Sequence, residues 1–262
     1  MAGMPAADLA AQALVLAGYA LQPHVGPKAR ASLPTLAMDC IQVLDARGEV
    51  MNDVVSSWCY TAAWFAQASA MASTLRSSSG IFVTRGGGPS TIEVPPVNPQ
   101  SLAHWRDAAA QRARQAAQPS LVQRQFSVLL AQQSRHIEPL LEEYMPRGAA
   151  VCIDVAFPAA QVAVELHGLT HWVLPPQAAT AHARLVQAAK QQHALTAPVA
   201  QQLAEVPLQL NAPTAARAAA LAAHGWAVVH VPLWLWVQCA GVHAPAQRVQ
   251  LVQRILRAGQ LR

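Results

Sequence analysis

Hydrophobic and polar positions change period along this chain. Over residues 1–76 the spacing is helical. Leu9, Ala13, Leu16 and Ala20 fall on one face, Leu33 to Leu44 follows a Gly-Pro turn, and Val54, Trp58 and Phe65 share a face in the run opening at Asp53. This stretch predicts a helical region, with the helices reaching to about Arg76. Residues 77–99 read as a linker, because Gly86-Gly87-Gly88-Pro89 and Pro95-Pro96 interrupt regular structure. The glycine run lacks the Gly-Lys-Ser/Thr of a phosphate loop and gives no reason to expect a nucleotide. Ser101 to Ala117 predicts an Arg-, Gln- and Ala-rich helix. Pro119, suited to a first helical turn, opens another, with Val122, Phe126, Leu129, Leu130 and Gln133 along one side. Pro146-Arg147-Gly148 then makes a turn.

From Val151 the period becomes two. Val151, Ile153 and Val155 alternate with Cys152 and Asp154, a turn follows at Phe157-Pro158-Ala159-Ala160, and alternation resumes from Gln161 to His167. Val162, Val164 and Leu166 occupy one face of this second strand. Ala163, Glu165 and His167 occupy the other, where Asp154 can meet them from the neighbouring strand. Pro213 to Ala223 predicts a helix capped at Gly225, Trp226 to Val231 a further apolar strand, and Leu233 to Cys239 and Ala246 to Leu256 closing helices. An Ala/Gln-rich segment at about 175–209, helical over 178–200, interrupts this order as an insertion. The expected class is α+β: an N-terminal helical region, then an α/β domain over 100–262.

Composition adds a partner. Hydrophobic residues make up 53% of the 262 residues and charged ones 12%, so much of the surface is expected to be covered by protein or RNA. Net charge is +5. No acid follows Glu205, whereas Arg217, Arg248, Arg254, Arg257 and Arg262 do, and between Leu102 and Arg135 five arginines face Asp107 alone. Such tracts attract phosphate backbones, although a solvated helix face has the same composition. The four cysteines contain no C-x-x-C, which argues against a zinc knuckle. Cys152, inside an apolar strand, reads as a buried thiol in a reducing compartment, with a disulfide the other option. No run is long enough to span a membrane. The first 27 residues contain no Lys or Arg and carry Asp8, unlike a secretory signal or an Arg-rich transit peptide.

The acids on tandem strands carry the chemistry. Two carboxylates on neighbouring strands can hold a divalent metal that activates water. Asp154 and Glu165 so placed resemble the acids of restriction-endonuclease-like nucleases, a resemblance that implies a water-orienting lysine where His167 stands. Histidine, titrating at about 6.5, is a poor fixed cation at neutral pH. His167 and His171 are four residues apart, but Gly168 starts a turn between them, which removes the helical spacing a zinc pair needs. His171 and Trp172 could stack on bases of single-stranded RNA, or Trp172 could fill the core.

This layout resembles the restriction-endonuclease-like fold, and in wording one branch of it, the RAP domain of organellar RNA-binding proteins. Glu165-Leu-His167-Gly168-Leu-Thr-His171-Trp172 is similar to that family's Glu-x-Asp-Gly-Pro-x-His-Phe, departing at the second acid and the proline. Leu210-Asn211-Ala-Pro-Thr214-Ala-Ala-Arg217 resembles its Leu-Asn-Gly-x-Thr segment. Leu221 to Pro232 resembles Leu-x-x-x-Gly-Trp-x-Val-Val-x-Val-Pro, and Trp236 matches the following aromatic. The likeness spans residues 120–258. Trp58 to Ala68 resembles the core of octotricopeptide helical repeats. The resemblance implies a mitochondrial, or alternatively chloroplast, RNA-associated protein without catalysis, metal or cofactor: a ribonucleoprotein or organellar ribosome subunit, or an RNA stability or processing factor. Its partners would be rRNA or an organellar transcript and other ribonucleoprotein proteins. His171, Trp172, Arg217, Arg248, Arg254 and Arg257 are the expected RNA contacts, and Asp154 and Glu165 are expected to persist as structural acids, capping turns or pairing with Arg217. The alternatives are a metal-dependent endonuclease using Asp154, Glu165 and His167, and a protein-interaction scaffold that does not touch RNA.

Overall fold

The alternation from Ile153 to His167 folds as a hairpin at the centre of a mixed sheet. The computed structural model describes residues 3–20, 27–49, 51–68, 72–76, 81–86, 97–116, 119–135, 137, 141–146, 150–173, 209–239 and 244–261. Helices α1 (Ala6–Ala20), α2 (Pro27–Arg47) and α3 (Asp53–Ala68) are followed by β1 (Ala72–Arg76), β2 (Phe82–Gly86), α4 (Pro99–Ala116) and α5 (Leu121–Gln133). Then come β3 (Leu141–Tyr144), β4 (Ile153–Phe157), β5 (Val162–His167), β6 (Trp172–Val173) and β7 (Gln209–Leu210). The chain closes with α6 (Ala212–Ala223), β8 (Ala227–Pro232), α7 (Leu233–Gln238) and α8 (Ala244–Ala258). The class is α+β.

The main sheet has six strands in the order β1-β2-β8-β5-β4-β3. β5 and β8 are parallel, and every other neighbouring pair is antiparallel. Parallel strands cannot be joined by a tight turn, and the connection here returns through α6. That helix is well delimited. Asn211 caps its start by accepting from Thr214 N at 3.0 Å, and Gly225, at φ 85°, ends it. The amides of Gly225 and Trp226 bond back to the Ala222 and Leu221 carbonyls, the double closure that the left-handed glycine permits. The predicted glycine cap stands where expected.

Helices cover both faces of the sheet. On the first face Val155, Phe157, Val162, Val164, Leu166, Val229 and Val231 pack beneath Phe126 and Leu130 of α5 and Leu251, Val252, Ile255 and Leu256 of α8. On the second face Ala156, Ala163 and Val228 lie beneath the alanines of α6. Small side chains on both sides let this helix approach the strands closely. One apolar cluster continues from α6 into Cys59 and Ala63 of α3 and Leu9 and Ala13 of α1, so the N-terminal helices share a core with the sheet.

Three local expectations are corrected. Ala72–Arg76 is a strand, not the end of the helical region, and Phe82–Gly86, within the expected linker, is another. Ile81 and Phe82 are apolar and β-branched or aromatic, and burying them at 0% and 7% exposure against β8 outweighs the glycines that follow. Gly86 itself has a packing role, since a Cβ there would lie 2.8 Å from the Ala222 carbonyl oxygen. Leu141–Tyr144, ahead of the Pro146 turn, is the short edge strand β3, and its acids suit an edge that must not pair further. Pro119 lies outside α5: Ser120 is the cap, its hydroxyl accepting from Gln123 N while the Gln123 side chain accepts from Ser120 N. The expected insertion helix at 178–200 lies outside the described residues.

Val164 is fully buried at the centre of the first face, whereas Val128 on α5 is 56% exposed. Val164→Asp should cost about 3–5 kcal/mol, a large part of the ~5–15 kcal/mol that stabilises an ordinary domain. Val128→Asp should leave the melting temperature nearly unchanged. Equal melting temperatures for the two variants would show that this face is not core.

Candidate functional site

Below Ala163 the second face of β5 turns polar, and so does that of β8. Glu165 lies opposite His230 and His167 opposite Pro232 in the parallel register. Glu165, His167 and His230 are 3%, 3% and 1% exposed. Buried polar groups need partners, and here they have them. Thr84 Oγ1 of β2 lies 2.9 Å from His230 Nε2, and His230 Nδ1 lies 2.8 Å from His167 Nε2. Neutral rings satisfy this chain with protons pointing in either direction. The two rings stack at 5.0 Å, and His171 packs on His167 at 4.8 Å while its Nδ1 lies 3.0 Å from Thr214 Oγ1 of α6.

Burial holds these histidines neutral. It pushes His167 well below the usual imidazole range, with the neighbouring His230, His171 and Arg217 acting in the same direction. His230 is pushed down to about 3 by burial, then by Arg217 and His171. His171 is lowered by burial and Arg217, with Asp154 opposing.

The acids are bonded internally. Arg217 of α6 donates to Glu165 Oε1 at 3.0 Å and also to the Cys152 carbonyl. Asp154 Oδ2 accepts from Leu166 N at 2.9 Å. The expected pairing of Glu165 with Arg217 is present, and Arg217 supplies the fixed cation that His167 cannot. Its cost is that the carboxylate is neutralised by a protein side chain. Among the described residues no group of three His, Cys, Asp or Glu side chains could hold a metal ion.

Three expected RNA contacts, His171, Trp172 and Arg217, are engaged in the protein. Trp172 is 5% exposed, with Phe82 at 4.9 Å, Trp234 at 5.2 Å and His167 at 5.9 Å between ring centres. An aromatic with its faces enclosed has none left for a base, so Trp172 fills the core. Arg217 is held between Glu165 and Cys152, and a phosphate would have to compete with a buried carboxylate. Arg248 is partly engaged too: its guanidinium lies 4.7 Å from the Trp236 ring centre, and Trp236 is itself buried edge-on to Phe126.

Arg254 and Arg257 are placed differently. With Leu235, Gln238, Cys239, Gln247, Gln250 and Gln253 they line a groove of about 440 Å³ between α7 and α8. Gln247, Gln250, Arg254 and Arg257 follow helical spacing down one side of α8, and the opposite side is core. Arg257 Nε donates to the Gln253 carbonyl at 3.2 Å. Burial raises the Cys239 thiol pKa against the lowering effect of Arg248 and Arg254, so the thiol stays protonated at neutral pH. No disulfide joins the four cysteines, all of which lie among the described residues.

Comparisons with protein-family models, with curated proteins and with solved structures give no match to this chain. Thr84, Thr214 and His230 escaped the sequence reading, as did the glutamines of α8. For His230 the signal was present: in Val228-Val229-His230-Val231 a polar residue occupies the face shared with Glu165 and His167. The glutamines repeat at the spacing of a helix face.

A lowered histidine pKa makes stability pH-dependent. His230 falls from an unfolded value of 6.5 to about 3, so its neutral-form stability is complete above pH 6.5 and is lost as pH falls toward 3. One such ring steepens the loss by up to about 1.4 kcal/mol per pH unit. His230→Asn should be less stable at pH 7 yet show a shallower decline in melting temperature between pH 7 and 5; parallel curves would refute the assignment. Arg248→Ala should cost about 0.5–2 kcal/mol because nothing then stacks on the Trp236 ring, whereas Arg257→Ala, exposed, should be close to neutral in the same melt.

Proposed function

We propose that this chain is a non-catalytic RNA-associated protein that meets RNA through its C-terminal helices. The observation that carries this reading is the acid-free groove of arginine and glutamine between α7 and α8. Phosphate attraction supplies affinity there without a metal or a cofactor. The commitment of Glu165 to Arg217 and of Asp154 to the Leu166 amide supports a structural use of the acids over a nucleolytic one. The hairpin, crossover helix and parallel strand, with the RAP-like wording of residues 165–172 and 210–236, support membership of that RNA-associated group. On this reading the chain works in a mitochondrion, or alternatively a chloroplast, as a ribonucleoprotein or ribosome subunit or as an RNA stability or processing factor. Among the described residues no helix is long and apolar enough to cross a membrane.

Incubation of the purified protein with labelled single- and double-stranded RNA and DNA, in Mg²⁺ or Mn²⁺, tests the proposal. RNA should be retained in a salt-dependent manner and remain intact. Cleavage that disappears in Asp154→Ala/Glu165→Ala would overturn the non-catalytic reading in favour of a nuclease. Absence of RNA retention at low salt would leave a protein-interaction scaffold instead.

A further inference from the structure

We infer that the groove between α7 and α8 takes a short unpaired segment of RNA, with phosphates on Arg254 and Arg257 and base edges on the glutamine amides. The inference rests on the RNA reading and narrows it to one place and one form of RNA.

Four features of the groove point this way. Its charge is of one sign: Arg254 and Arg257 line it, and no acid follows Glu205 in the chain. Its two arginines are too few to match the charge density of an acidic peptide tract, and the rest of the polar lining is neutral amide. Gln247, Gln250 and Gln253 each carry a donor and an acceptor, the combination that unpaired base edges present. Leu235, half-buried, adds an apolar surface against which a base can lie. At about 440 Å³ the space suits a nucleotide-sized group, within the ~300–1,000 Å³ typical of small-ligand sites. A duplex has its Watson–Crick base edges occupied.

The groove is also held in shape. α8 is anchored by Leu251, Val252, Ile255 and Leu256 in the core and by Arg248 stacked on Trp236. Arg254 Nε is withdrawn from solvent, so packing positions its side chain before a ligand arrives. Arg248 therefore sets the helix in place as a positioning residue, and Arg254 and Arg257 meet the ligand.

The test uses the full chain and fluorescence anisotropy with a short labelled single-stranded RNA, a hairpin duplex of the same composition, and unlabelled polyphosphate and polyglutamate as competitors. Single-stranded RNA should bind more tightly than duplex. Arg254→Gln/Arg257→Gln should weaken binding and flatten the slope of log affinity against log salt by about 1.4, roughly 0.7 for each phosphate no longer neutralised. Gln247→Ala/Gln250→Ala should weaken single-stranded RNA about tenfold while leaving polyphosphate binding unchanged, since only hydrogen bonds to bases are removed. Thermal melts of both double variants, whose substituted side chains face the groove, should stay near the unsubstituted protein's. If the unsubstituted protein binds RNA and both variants bind it equally well, this groove is not the site, although the RNA reading survives. Competition by polyglutamate as strong as by RNA would assign the groove to an acidic protein. If no RNA binds at low salt, the broader reading fails with it.

Discussion

A carboxylate, two imidazoles and a hydroxyl are enclosed between the sheet and α6, and the arrangement of the surrounding elements follows from their need for partners. Unbonded, each would cost roughly 1–3 kcal/mol or more. The partners come from four elements: Thr84 from β2, His230 from β8, His167 and Glu165 from β5, Arg217 and Thr214 from α6. Register errors between β2 and β8, or between β5 and β8, would leave several of these atoms bare at once. The first face, made of valine, leucine and phenylalanine, gives most of the burial but little directional information. The polar face fixes which strand lies beside which, and at what offset.

That division of labour explains what the sequence could convey. The hairpin from Ile153 to His167 was legible because alternation is strict and a proline turn separates the strands. The end of α6 was legible because Gly225 is needed in a left-handed conformation. The Glu165–Arg217 pair could be anticipated from an acid on a strand and a cation on the helix packed across it. β2 was not legible: Ile81-Phe82-Val83-Thr84 is too short a run to outweigh the glycines and prolines after it, and what makes it a strand is a partner far along the chain. Trp172 shows a different limit. An aromatic beside a histidine has one appearance in sequence whether it stacks on a base or on Phe82 and Trp234, and only the location of those rings distinguishes the two.

Both acids of the hairpin are bonded within the protein. In a metal-dependent nuclease two carboxylates share a cation that comes from solution. Here Glu165 has its cation from α6, and Asp154 secures the backbone of the next strand at Leu166. The positive charge is thus built into the chain. On the proposed reading phosphate is met on α8, by arginines whose groove has no carboxylate among its lining residues.

The hydrogen bond between Thr84 and His230 spans 146 residues of chain. β2 is made early and its neighbour β8 late, with α6, the helix that covers them, made just before. A chain growing from its N terminus therefore carries Ile81 and Phe82 for most of its synthesis with nothing to bury them against. Contacts of such long sequence separation form slowly, and an unpaired apolar strand is a template for aggregation while it waits. The sheet is completed from its end, when Val228 to His230 arrives beside β2.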